Sequence, residues 1–183
     1  VLADDVVNDI FRLFDAWARE SWLPTYDKKR QEGFWRHLVV RRWITTHQTM
    51  VVLSVNSEFS RIWSLKFEIW NFVDDFVAFL KWLDHEVTSA YLLHNSGKAD
   101  IVDGEFEHVY GKEVIVERLI VGERGLDFQI RPKSFFQTNT LWAQKLYEVV
   151  RGMICERDGV ILDLYAGTGT IGIIVSDLAK KVY

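Results

Sequence analysis

The feature that most constrains this chain is a short apolar run that ends in a glycine-punctuated corner. Val160-Ile161-Leu162-Asp163-Leu164-Tyr165 is apolar on successive positions, as in a strand buried on both faces, and Ala166-Gly167-Thr168-Gly169-Thr170 follows directly. From Ile171 to Ala179 the pattern turns helical, and Lys181-Val182-Tyr183 reads as the start of another strand. Strand, glycine corner, helix, strand is the opening βα unit of a doubly wound sheet. Glycines at such a corner let a ligand approach free backbone N–H groups. The G-x-G spacing alone is a weak signal, because Gly172 comes too early to complete a dinucleotide pattern. The plain alternative is an ordinary βα turn. Asp163 argues against it: a carboxylate inside an apolar strand is costly unless it is used, either to fix the glycine loop or to meet a cationic ligand group.

Before this unit the order of elements is different. Asp4 to Trp22 predicts an amphipathic helix, with Val6, Val7, Ile10, Phe11, Leu13, Phe14 and Trp17 at helical spacing and Asp4 or Asp5 as cap. Pro24 closes it. His37–Trp43 and Met50–Val55 read as strands joined by the polar Thr45-Thr46-His47-Gln48 turn. Phe72–Leu83 reads as a second helix, while Trp63–Trp70 alternates too weakly to assign. Ser89–Leu93, Val114–Leu119 and Leu126–Ile130 are short strand-like runs, separated by Asn95-Ser96-Gly97, Tyr110-Gly111-Lys112 and Gly122-Glu123-Arg124-Gly125. This order predicts an α+β domain whose sheet is covered on one side. Thr138-Asn139-Thr140 then offers a cap for a helix reaching about Ile154, with Leu141, Leu146, Val149, Val150 and Met153 as its buried face. The expected division is a central α+β domain over residues 1–131, followed by the start of an α/β domain over residues 132–183.

Composition narrows the classes. With 183 residues, 49% of them hydrophobic, and eight Trp and twelve Phe, a packed core is available and disorder is excluded. The single Cys155 forbids an internal disulfide, which suits a reducing, cytoplasmic setting. No apolar run is long enough to span a bilayer, and no secretory signal pattern opens the chain. His37, His47, His85, His94 and His108 are scattered without metal-ligand spacing, so no metal site is expected. Net charge is −4, so overall electrostatics do not announce a nucleic-acid binder. Locally, Arg36, Arg41 and Arg42 cluster around a strand after Lys28-Lys29-Arg30, a pattern whose plainer reading is a solvated face. Trp17, Trp22, Trp43, Trp63, Trp70 and Trp82 fall on apolar-periodic segments and read as packing. Trp35, beside Arg36, is the candidate base-stacking residue, with Arg41 and Arg42 as accompanying RNA contacts.

Two linked motifs go further. Ser134-Phe135-Phe136-Gln137-Thr138-Asn139, Leu146-Tyr147 and Asp163-Leu164-Tyr165-Ala166-Gly167-Thr168-Gly169-Thr170-Ile171-Gly172 resemble the S-adenosylmethionine-dependent RNA 5-methyluridine methyltransferases. Their hallmark is an S-F-F-Q-x-N stretch followed, one helix later, by a D-L-Y-x-G-x-G loop. Gly33–Arg41 and Gly111–Glu117 are similar to the family as well, so the resemblance runs from about Gly33 to Tyr183, weakest between Ser57 and Glu86.

The resemblance implies a Rossmann-like cofactor domain and methyl transfer from S-adenosyl-L-methionine to C5 of a uridine in tRNA or rRNA. It implies cofactor contacts at Gln137, Tyr165, Gly167, Gly169, Thr170 and Asp163. The chemical reading agrees: Gln137 offers donor and acceptor to a zwitterionic tail, and Tyr165 a flat wall with a polar tip. Phe135 and Phe136 are read as core packing. Family chemistry uses a cysteine thiolate that adds to C6 of uracil and a carboxylate that later removes the C5 proton. The resemblance places both beyond Tyr183, so no catalytic residue is expected in this chain and the chain by itself is expected to be inactive. Cys155 does not match the nucleophile and reads as a small, partly buried thiol. Position 166 is Ala where many relatives have Cys, and the iron–sulfur cluster of some relatives is not expected here. The rival expectation is a non-catalytic RNA- or protein-binding module with a vestigial loop; methyl transfer to a small molecule or a protein fits the motif less well. A single βα unit leaves apolar surface over Val160–Leu164 and Ile171–Leu178, which predicts packing on the central domain or self-association.

Overall fold

The first helix begins where Asp4 caps it: the carboxylate accepts from the Val6 N–H at 2.7 Å. In this computed structural model, which describes residues 4–59, 72–83, 87–98, 101–155 and 157–183, α1 spans Asp5–Glu20. The Trp63–Trp70 segment and His85 lie outside the described residues. The chain divides into two compact units, one of residues 1–42 and 48–115, the other of residues 43–47 and 116–183.

In the first unit, β1 (Trp35–Arg42), β2 (Thr49–Val55), β3 (Ser89–His94) and β4 (Glu105–Gly111) form a four-stranded sheet in that order. β1 and β2 are antiparallel, β2 and β3 parallel, β3 and β4 antiparallel. The parallel pair follows from the crossover that contains α2 (Phe72–Trp82), since parallel strands need a long connection. Val6, Ile10, Leu13, Phe14, Trp17 and Ala18 of α1 pack with Phe72, Phe76, Phe79 and Leu80 of α2 on Val51, Leu53, Val55, Ala90 and Leu92. Trp17 stacks on Phe79 at 4.9 Å between ring centroids, while Phe14 and Trp17 each meet Trp35 at 5.5 Å. Each such pair adds about 0.5–1.5 kcal/mol beyond area burial, so these contacts fix the helix pair on the sheet.

Three sequence expectations change here. The sheet is not open on one side at its centre: Met50, Val52, Ser54 and Leu93 are buried along with the core-facing residues of β2 and β3, as central parallel strands generally are. β4 was unmarked in the sequence because Glu105, Glu107 and His108 break its apolar alternation; it is an edge strand. Trp22 and Trp82 are not core residues, being 95% and 67% exposed, although the Trp82 ring lies tilted against Phe79. Trp22 follows the C-cap Ser21 with φ +61°, the left-handed position that ends a helix, and this throws its ring outward.

In the second unit, β5 (Ile115–Val121, from Val116 onward) and β6 (Arg124–Ile130) form a two-stranded sheet. α3 spans Thr140–Gly152, capped by Asn139, whose side chain accepts from the Trp142 N–H at 3.0 Å. β7 (Gly159–Ile161) and β8 (Ala179–Val182) pair in parallel across α4 (Thr170–Val175) and a single 3₁₀ turn, Ser176–Leu178. Arg124 of β6 and Arg151 of α3 both grip Asp177, the latter through two bonds of 2.5 and 2.8 Å. The Arg151 hydrogen bonds, helped by the Arg124 charge, hold the Asp177 carboxyl far below the usual carboxylate range.

The expected buried face of α3 is corrected. Thr140, Ala143 and Tyr147 are its buried residues, whereas Leu141, Leu146, Val149 and Met153 are exposed. Small side chains at the first two positions let the helix approach closely on that stripe, and its larger apolar residues point away. The Val160–Tyr165 run is likewise not buried on both faces: Val160 of β7 is 62% and Leu164 beyond it 75% exposed, and Ile171 and Ile173 are partly exposed. Two strands and a six-residue helix can cover only one side of such a sheet.

Candidate functional site

The glycine corner folds as a run of alternating left-handed residues. Tyr165, Gly167 and Gly169 have φ of +61°, +59° and +71°. Gly169 is the N-cap of α4, and its N–H donates to the Ala166 carbonyl at 2.8 Å. A Cβ added at Gly167 would meet only the Tyr165 carbonyl at 4.0 Å, so the glycine leaves open space beside the backbone. Tyr165 is the one side chain in this run held at positive φ, and it is fully exposed. Such a conformation costs about 1–3 kcal/mol for a non-glycine residue and is maintained by its surroundings.

Asp163 is used within the loop. Its Oδ2 accepts from the Gly172 N–H at 2.8 Å, tying the end of the strand to the first turn of α4 and fixing the loop between them. A Cβ at Gly172 would sit 3.0 Å from that oxygen and 3.2 Å from Val182 Cγ1, which explains the glycine inside a helix. Thr170 is buried, and its hydroxyl pairs with that of Thr168 at 2.8 Å, so it acts inside the loop. Thr168 in turn donates to the Phe135 carbonyl at 3.4 Å. That bond brings the two sequence motifs together, although 33 residues separate them.

The Ser134–Asn139 stretch divides its side chains. Phe136 is buried against Trp43 (5.4 Å, edge-on) and Phe128 (5.5 Å). Phe135, expected in the core, is 76% exposed, and only its neighbour Phe136 faces the core. Gln137 is exposed. Cys155 is exposed rather than partly buried, lying past the end of α3 with its thiol directed to the Met153 carbonyl.

The candidate RNA contacts change most. Trp35 is buried among Phe14, Trp17, Phe34 and Phe72 and presents no face to a base. Arg36 donates to the carbonyls of Asn95 and Gly97 at 3.0 and 2.6 Å and lies over the Tyr26 ring. Arg42 bonds Asp4 and Thr49, and burial lowers the Arg41 guanidinium below its usual value. Of these basic residues, Arg36 is tied to the 95–97 loop. Among the described residues, no group of three or more His, Cys, Asp or Glu is placed to hold a metal, and no helix is long and apolar enough to cross a membrane.

The mixed α/β fold is similar to that of a solved methyltransferase. The solved tRNA (uracil-54, C5)-methyltransferase of Pyrococcus abyssi, in complex with S-adenosyl-L-homocysteine, matches it with a TM-score of 0.64 and 25% identity, over 90% of this chain and 36% of that one. In sequence the chain is homologous to RNA methyltransferases along essentially its whole length. A protein of Clostridium tetani described as an uncharacterized RNA methyltransferase is 35% identical over 185 residues, and one of Caldanaerobacter subterraneus 36% identical over 185 residues. Each alignment covers 99% of this chain and 38% of the relative, so the chain spans well under half the length of these relatives. No protein-family model matches the chain.

Proposed function

We propose that this chain is the part of an S-adenosylmethionine-dependent RNA methyltransferase that carries the first half of its cofactor pocket, in an enzyme that methylates C5 of a uridine in tRNA or rRNA. The reading makes residues 132–183 the beginning of a Rossmann-like domain. The observation that carries it is the Thr168–Phe135 hydrogen bond, which sets the glycine loop beside the segment bearing Gln137. The open space at Gly167 and the outward Tyr165 fit a ligand that lies along the loop backbone. Gln137, Tyr165, Gly167 and Gly169 would hold the cofactor, and Asp163 and Thr170 would keep the loop in shape. When bound, the sulfonium cofactor supplies an electrophilic methyl group. Cys155, exposed past the end of α3 and ahead of the glycine loop, is not assigned as the nucleophile. The chain is therefore expected to bind the cofactor without methylating RNA. Such an enzyme works where its RNA is, in the cytoplasm.

Calorimetric titration with S-adenosyl-L-homocysteine tests the reading. The chain should bind, and Gln137→Ala or Tyr165→Ala should each weaken binding roughly tenfold, the loss of about one good interaction. Absence of binding at about 1 mM ligand would favour the vestigial loop instead. RNA binding that falls steeply with salt would then remain as the module's only activity.

A further inference from the structure

The exposed Gln137 lies between two anchors that lead to the same place. On one side Phe136 is buried with its ring against Trp43. On the other, Thr140, the first residue of α3, is fully buried and donates its hydroxyl to Glu117 Oε1 at 2.6 Å. The second oxygen of Glu117 accepts from the Thr45 hydroxyl at 2.9 Å, and Thr45 also accepts from the Arg118 N–H at 3.1 Å. Trp43 and Thr45 belong to one short turn, residues 43–47. That turn therefore secures both ends of the exposed bridge Gln137-Thr138-Asn139, through a ring at one end and through Glu117 at the other.

Glu117 is 0% exposed, and a carboxylate buried there is poor value for stability alone, since an apolar side chain of similar volume usually serves as well. Its two oxygens, each accepting a hydroxyl from a different segment, define a position instead. We propose that Glu117 is a positioning residue: it sets where the Gln137 bridge lies relative to β5 and the 43–47 turn, and thereby the geometry of one wall of the cofactor site. The proposal rests on the cofactor reading above for its functional consequence, and on the hydrogen bonds alone for the anchoring.

Paired substitutions in the 183-residue chain test it. Thr140→Val and Glu117→Leu remove the anchor while keeping volume. Thr140→Ser and Glu117→Gln retain hydrogen-bonding groups and should keep most of the parent's affinity and exchange protection. Arg124→Ala is the control, weakening the Asp177 clamp in the same unit without touching the bridge. Thr140→Val and Glu117→Leu should weaken S-adenosyl-L-homocysteine binding roughly tenfold or more and raise amide hydrogen exchange over residues 137–143 by a similar factor. Arg124→Ala should lower the melting temperature yet bind as the parent does. Parent-like affinity and exchange in Thr140→Val would overturn the proposal even if Glu117→Leu does not fold. So would a loss no greater than that of the control. If the parent chain binds no S-adenosyl-L-homocysteine, the cofactor reading fails, while the exchange measurement still decides the anchoring by the same criterion.

Discussion

The molecule uses the same wiring twice, with opposite results. β2 and β3 are parallel strands on either side of a connection containing α2, and β7 and β8 are parallel strands around α4. In the first case β2 is buried at every residue, and two helices rich in aromatic side chains cover its inner face. In the second, a three-residue strand and a six-residue helix leave Val160, Leu162 and Leu164 outside. A long crossover whose helix is thickly covered makes a core. A short, thinly covered one leaves a left-handed loop with Tyr165 facing outward.

That contrast can be broken experimentally. The largest effect should come from Phe76→Ala, at a 0% exposed position between the helices, which should cost roughly 3–5 kcal/mol in denaturant unfolding. Leu164→Ala should stay within about 0.5 kcal/mol, and equal losses at the two positions would erase the distinction. Next in size is Asp177→Asn, which should cost about 1 kcal/mol or less, since the carboxylate is partly exposed and screened. Because the folded carboxyl is depressed, its contribution is complete above the unfolded value of about 3.9 and fades as pH falls through and below it. Asp177→Asn should accordingly flatten the acid limb of the second unit's stability, and an unchanged limb would remove the clamp from the account. Gly169→Ala forces φ +71° on a residue with a Cβ and should cost roughly 1 kcal/mol, by backbone strain since the nearest atom, Ile173 Cδ1, is 3.9 Å away. Smallest of all, Leu146→Glu on the exposed face of α3 should shift stability by no more than about 0.5 kcal/mol. A large loss, or a change in sedimentation, would show that another copy of the chain covers that face.

Much of this was readable in the sequence. The capped amphipathic α1, the strands β1 to β3 and the Asn139-capped α3 follow from local periodicity and cap chemistry. The two linked motifs, separate in the sequence, lie side by side in the structure. What failed had a common cause. β4 carries acidic residues because it is an edge, and being an edge is a property of the assembled sheet. Phe135 and Phe136 are chemically identical, and only the direction of the backbone decides which one enters the core. Trp35 and Arg36 looked like an RNA surface until the chain folded Phe14, Trp17 and Phe72 around the first and the Asn95 and Gly97 carbonyls onto the second.

The sequence by itself determined most of the elements and the homology to RNA methyltransferases, because caps, periodicity and linked motifs act over a few residues or are copied whole. Only the tertiary structure decided the faces and the anchors. Glu117 meets Thr140 across 23 residues and Thr45 across 72, and Arg151 meets Asp177 across 26. Such pairings arise from the packing of whole elements, and no local pattern in the chain specifies them.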